Sequence, residues 1–228
     1  MPPGGRVVAV CDFYDSRIDQ VRKLYPAAKF AAYADYRSML KGTRLDAVII
    51  ATPDHHHVQA ALLACQAGLA VYCEKPLSLT VGEGRRLVEA VRHYDRVLQV
   101  GSQQRSMEMD RFACQFVREG GIGKVSKVEV KNLPGPLLYE DMTSEPIPSG
   151  MHWDLFCGPR PIRPYHWRLW QKDERKWNGH NWRGWDMWRD YSGHLMTNHG
   201  AHGIDMVQWA LGTDKTGPVE IEPLVEKH

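Results

Sequence analysis

The chain has 228 residues, 43% of them hydrophobic, which is enough to bury a core of one or two domains. Lys and Arg number 29 against 27 Asp and Glu, and the formal net charge of +2 excludes a field strong enough to gather nucleic acid or an anionic membrane surface. The five cysteines are odd in number, scattered and free of any CxxC spacing, which excludes a disulfide framework or a thiolate zinc site and reads as reduced thiols. No apolar run reaches the length of a membrane span, and "MPPGGRVVAV" lacks the parts of a signal peptide. The chain as given is therefore expected to be soluble and cytoplasmic, with a periplasmic or secreted place open if a signal lies upstream.

In chain order, "RVVAVCD" reads as an aliphatic strand closing on Asp12. "DSRIDQVRKLYP" follows with helical spacing at Ile18, Val21 and Leu24. "DAVIIATP" is a continuous apolar strand, Val58 to Ala67 a helix ended by Gly68, and "AVYC" the next strand. Thr80 to Tyr94 is another helix, and "VLQVG" another strand. Apolar strands alternating with amphipathic helices predict an α/β fold, a doubly wound, Rossmann-type parallel sheet covered on both faces. The glycine-rich turn that such a sheet uses for a dinucleotide is absent after the first strand, because "GGRV" precedes a strand and "GGIGK" lies between a helix and a strand. Asp12 is read either as the acceptor for the adenosine ribose hydroxyls, favouring NAD over NADP, or as a plain helix cap.

The strand 70–73 runs into Glu74, Lys75 and Pro76. Ligands bind at the carboxyl ends of parallel strands, so these charges either serve a ligand or form a solvated ion pair.

Beyond residue 123 the composition changes, and all eight tryptophans fall between Trp153 and Trp209. "KVSKVEVKN" alternates as a half-buried strand should. Between Leu133 and Trp188 the periodic signal is weak. Trp182, Arg183 and Trp185 are candidates to grip a sugar, aromatic faces on C–H groups and polar groups on hydroxyls, against the plainer reading of aromatic pins for a wrapping loop. In "NHGAHGIDMVQW", Asn198, His202 and Asp205 share a helix face, with Ile204, Val207 and Leu211 on a buried one. A metal at His199, His202 and Asp205 is the lesser alternative, since no further ligand completes the set, and no metal is expected. The expected domains are residues 1–123 and 124–228.

"VVAVCD", "DAVIIATPDHHHVQAALLACQAGLAVYCEKPLSLT", "LQVGSQQR" and "SGHLMTNHGAHGIDMVQWALG", in that order and spacing, resemble the glucose-fructose oxidoreductase, inositol dehydrogenase and rhizopine-catabolism (Gfo/Idh/MocA) family of NAD(P)-dependent sugar and cyclitol oxidoreductases. "WDLFCGP" and "NWRGW" resemble a subgroup that includes NAD-dependent glycosidases. The resemblance implies that Lys75 hydrogen-bonds the hydroxyl being oxidised and the nicotinamide ribose, and stabilises the developing alkoxide. It implies that Pro76 follows a cis bond, that Glu74 holds the ribose, and that Thr52 and Pro53 line the cofactor cleft. His57 either touches the cofactor or caps and packs. Arg105 is either a supporting charge near the site or a solvated surface group. In the family an Asp-x-x-x-His pair is catalytic, the histidine acting as general base. Here His202 matches and Asn198 replaces the acid, while Asp205 anchors the helix or orients His202 and, with His199, joins the substrate set.

Relative to the family, the chain is expected to lack the first strand, its glycine-rich turn and the following helix, and to hold an incomplete α+β substrate domain. That predicts weak or no NAD binding by the chain as given. A small sugar or cyclitol is the expected partner, with a homo-oligomer if the sheet domain is complete. Three functions stay open: an NAD-dependent oxidoreductase of a sugar, glycoside or cyclitol hydroxyl; an NAD-dependent glycoside hydrolase working by transient oxidation; and a silent sugar- or partner-binding module.

Overall fold

The computed structural model describes residues 4–130, 135–170, 173–177, 180–182 and 184–222, with the side chains of 171–183 outside that description. Two compact units are interleaved along the chain. One is built from Met1–Gly101 and Pro134–Asn198, the other from Ser102–Leu133 and His199–His228.

In the first unit β1 (Ala9–Cys11) leads through α1 (Asp15–Leu24) to β2 (Ala31–Tyr33), and the two strands pair in parallel, Ala9 opposite Ala31 and Cys11 opposite Tyr33. After α2 (Tyr36–Gly42), the strands β3 (Ala47–Ile50), β4 (Ala70–Glu74) and β5 (Leu98–Gly101) form a second parallel set in the order β3-β4-β5. Their crossovers are α3 (His57–Gln66) and α4 (Val81–His93), as parallel pairing requires. Gly68, at φ +84°, turns the chain out of α3 into β4, in a region of backbone space open to glycine. Thr80 caps α4 in a capping box: its hydroxyl accepts the Glu83 amide, and the Glu83 carboxylate accepts the Thr80 amide.

The inward side chains of β4, Val71 and Cys73, are buried together with Ile50, Ala61, Ala64 and Leu87. One expectation fails at β3. The strand is apolar throughout, yet Ala47 is exposed and Ile49 is 73% exposed, so this part of the sheet is covered on one face only.

The tryptophan-rich segment supplies much of the same core. The His152 amide donates to the Phe13 carbonyl at 2.8 Å and the Asp15 amide to the Gly150 carbonyl at 2.9 Å, which seats α6 (Trp153–Cys157) beside β1. Trp153, Phe156, Tyr165, Trp170, Trp188 and Tyr191 are all buried there. Two of the buried indoles bond backbone carbonyls, Trp153 Nε1 donating to Arg163 and Trp188 Nε1 to Arg168. For these tryptophans the plain reading, aromatic pins of a wrapping loop, is the correct one. A short antiparallel pair, β6 (Asp173–Trp177) and β7 (His180–Trp182), completes the unit.

In the second unit α5 (Glu108–Arg118) ends at Gly120 and Gly123, both at positive φ, so "GGIGK" is a helix-ending loop. Residues 124–130 are not a strand, contrary to their alternation: a strand needs a ladder partner, and none pairs with them among the described residues. The long helix α7 (Leu195–Leu211) begins in the first unit, where it carries Asn198, and continues in the second with His199, His202 and Asp205. Its expected apolar face is only partly covered, Ile204 being 44% and Leu211 42% exposed. No helix among the described residues is long and apolar enough to cross a membrane.

Candidate functional site

The carboxyl ends of β3 and β4 frame a cavity of about 230 Å³, all of it within the first unit. Behind β3 the chain passes through Ala51, Thr52 and Pro53 into a 3-10 turn, Asp54–His56, that runs straight into α3. Behind β4 come Lys75 and Pro76, joined by a cis peptide as the resemblance implies.

Lys75 Nζ donates to Asn198 Oδ1 at 2.6 Å and to the Asn198 carbonyl at 3.3 Å. The ammonium at the strand end is thus held by a neutral amide at the start of α7. His57 braces the opposite wall, with Nδ1 2.7 Å from the Pro76 carbonyl and Nε2 2.9 Å from the Thr52 carbonyl. It packs and links the two strand ends instead of capping α3. Burial lowers its pKa, against the pull of those two carbonyls.

The two preceding histidines are buried as well. His55 Nε2 and His56 Nε2 both contact the Phe156 carbonyl, at 2.7 and 2.8 Å, and burial brings His56 down to about 4. Asp54 is 7% exposed and accepts the Ser192 hydroxyl at 2.7 Å. Burial pushes its carboxyl up to about 7, against the Ser192 bond and the Lys75 charge.

Of the residues expected from sequence, the cavity brings together Thr52, His57, Glu74, Lys75, Trp185 and Asn198. It adds Asp54, Asp186 and Ser192, which sequence reasoning missed. Asp54 carried a signal, since it stands four residues beyond an apolar parallel strand, where ligands bind. Ser192 and Asp186 carried none, because they reach the strand ends from a distant part of the chain, in a segment without periodicity. Pro53 precedes the 3-10 turn and does not line the cavity.

Asp12 does not cap α1. The N-cap is Tyr14, and Asp12 Oδ1 accepts the Tyr14 amide at 2.9 Å two residues on, a local turn at the end of β1. The Trp182 side chain and Arg183 lie outside the described residues.

In the second unit Asp205 is gripped by Arg105, with Nε–Oδ2 and Nη2–Oδ1 both at 2.8 Å, and Arg105 also bonds Asp214 and lies over the Trp209 ring. Arg105 is therefore a structural hub of that unit, and the Asp205 carboxylate is engaged by it. His199 and His202 stand on the same helix, His202 one turn on from Asn198. Among the described residues no group of three or more His, Cys, Asp or Glu is placed to hold a metal.

In an α/β unit of parallel strands, charged groups at the carboxyl ends of the strands stand where ligands bind. Comparison with known proteins specifies the class. Residues 1–102 match the model of an oxidoreductase family with an NAD-binding Rossmann fold, and residues 136–227 match that family's C-terminal alpha/beta domain. The chain belongs to this Gfo/Idh/MocA oxidoreductase family.

An inositol 2-dehydrogenase of Salmonella paratyphi B is 33% identical over 170 residues, covering 71% of this chain and 50% of that enzyme. A levoglucosan dehydrogenase of Pseudarthrobacter phenanthrenivorans is 34% identical over 92 residues, covering 40% of this chain and 24% of that enzyme. The crystal structure of a myo-inositol 2-dehydrogenase from Lactobacillus plantarum superposes with a TM-score of 0.58 at 21% identity, over 92% of this chain and 50% of that one, a likeness of fold. The chain thus spans half the length or less of these relatives.

The residues present fit a polar ligand at the strand ends. Thr52 Oγ1 is buried without a hydrogen-bond partner, and such an atom is ordinarily satisfied by something that enters. An ammonium, a carboxylate and an aromatic face line the same space at Lys75, Glu74 and Trp185.

Proposed function

We propose that this chain serves in hydride transfer between a nicotinamide cofactor, NAD in preference to NADP, and a hydroxyl of a small sugar or cyclitol, the kind of compound for which its relatives are named. The observation that carries the reading is the Lys75 ammonium, fixed by Asn198 at the mouth of a cavity formed by the ends of two parallel strands. Bound NAD would supply the hydride acceptor there. Lys75 binds the reacting oxygen and stabilises the negative charge that builds on it as the C–H bond is lost. Asn198 aims the ammonium. Thr52 and Glu74 hold the nicotinamide ribose end, His57 braces the wall behind them, and Asp12, at the end of β1, receives the adenosine ribose hydroxyls and repels a 2′-phosphate. Trp185 offers a ring face to the sugar. The family resemblance gives His202, on α7, the part of general base that takes the hydroxyl proton.

The test is a panel of polyols, myo-inositol and levoglucosan included, incubated with NAD and the purified chain while NADH is followed by absorbance, alongside calorimetric titration with NAD. Expected are NADH formation with at least one polyol and a loss of about 100-fold or more in kcat for Lys75→Met. The absence of both heat with millimolar NAD and NADH with any polyol would sink the reading. The dehydrogenase relatives do not favour the glycoside-cleaving alternative. A silent sugar-binding module keeps one observation in its favour, the amide of Asn198 where the resemblance puts an acid. Polyol binding with no NADH would decide for it.

A further inference from the structure

The cavity at the strand ends is unbalanced in charge. Among the described residues three carboxylates line it, Asp54, Glu74 and Asp186, against one ammonium, that of Lys75. Lys75 donates to the neutral amide of Asn198. Burial keeps His57 uncharged at neutral pH, and Cys73 on β4 is a neutral thiol, pushed up to about 12 by burial, with Glu74 and Asp54 adding to the effect. His194 Nδ1 lies 3.9 Å from Asp186 Oδ2 and is not among the lining residues.

Asp54 registers the imbalance. It is 7% exposed and accepts the Ser192 hydroxyl at 2.7 Å. Its carboxyl is raised to about 7, by burial first and by Asp186, against the Ser192 bond and the Lys75 charge. Buried carboxylates in excess of their cations either take up protons or gain a positive partner. A metal is not that partner, since no group of three or more His, Cys, Asp or Glu among the described residues is placed to hold one. The buried Thr52 hydroxyl, which has no hydrogen-bond partner, lines the same space and calls for a ligand with polar atoms of its own.

In the oxidised cofactor the nicotinamide ring carries a positive charge, and in the reduced cofactor it is neutral. On the oxidoreductase reading that ring lies beside the oxygen that Lys75 binds, and so among these carboxylates. Resting on that reading, we propose that Asp54, Glu74 and Asp186 select the oxidation state of the cofactor: they retain NAD by its cationic ring and release NADH, whose neutral ring leaves their charge unopposed. Asp54 couples the selection to protons. The arriving cation favours the ionised carboxyl, so Asp54 gives its proton to solvent as NAD binds, and NAD binds more tightly as pH rises through about 7. NADH does neither. Such selection suits a chain that lets its reduced cofactor go, and disfavours one that keeps it through a cycle of transient oxidation.

The test is calorimetry with NAD and with NADH near neutral pH, each in phosphate and in Tris, whose different heats of ionisation report the protons released. Expected are an affinity for NAD about 10-fold or more above that for NADH, and proton release with NAD only. In variants that melt like wild type, Asp186→Asn should narrow the gap in affinity and Asp54→Asn should abolish the proton release. The wild-type comparison decides without them. NADH bound as tightly as NAD, or NAD bound with no proton released, overturns the proposal and leaves the oxidoreductase reading standing. A chain that takes up neither form of the cofactor removes both.

Discussion

A Cβ on Gly158 would lie 2.1 Å from His56 Cε1, and the glycine sits at φ +52°, so both the space and the backbone at this position demand glycine. The close approach is what lets one carbonyl, that of Phe156, meet His55 and His56 together. Gly158→Ala is therefore expected to cost about 2–4 kcal/mol, from overpacking and left-handed strain combined, read as a lowered midpoint in urea denaturation. Because His56 stands immediately before α3, the same change should loosen the Asp54 wall of the cavity, seen as faster amide exchange at residues 54–57.

Among the elements, α4 is held at its start by more than its own cap. Glu83 accepts the Thr80 and Leu79 amides on one carboxylate oxygen, and on the other it takes Arg160 at 2.8 Å from the wrapping segment. Thr80→Ala removes one capping bond and should cost about 1 kcal/mol, whereas Glu83→Ala also strands a part-buried Arg160 and should cost more, both by thermal or urea denaturation. The helix itself was legible in the sequence, since Leu87, Val88 and Val91 mark a 3.6-residue period between Thr80 and Tyr94, and the observed element is Val81–His93. Its partner Arg160 was not legible, because nothing local records a contact 77 residues away. The same physical limit explains the segment 124–130. Alternation tells which side chains would share a face, but a strand exists only where another strand supplies hydrogen bonds. Lys75 and Thr52 were readable because a strand end fixes where they point. The role of the tryptophans was not, because burial is decided by what folds over them.

For the molecule as a whole, the consecutive histidines 55–57 set the response to acid. Burial lowers all three, His56 to about 4 from an ordinary 6.5, so in the folded state they resist protons that the unfolded chain binds. Folding stability is then fully present above about pH 6.5 and is lost as pH falls from there towards 4. Asp54 works in the opposite sense. Its carboxyl is raised from 3.8 to about 7, so it favours folding at low pH and that contribution disappears as pH rises through 7. Asp54→Asn removes the opposing contribution, and in that variant the expected outcome is a thermal midpoint that falls steadily between pH 6.5 and 4. A midpoint that holds or climbs across that window would contradict the assignment.

The bare rib of β3 has a colloidal consequence. Among the described residues β3 pairs on one side only, with β4, so it presents a row of peptide groups free to bond another strand, and beside them Ile49 at 73% exposure offers an apolar contact of the kind that makes such a union adhesive. Crowding is therefore expected to draw copies together: sedimentation should show copies joining as concentration rises, and a single charge at the rib, Ile49→Lys, should keep them apart without changing the far-ultraviolet circular dichroism.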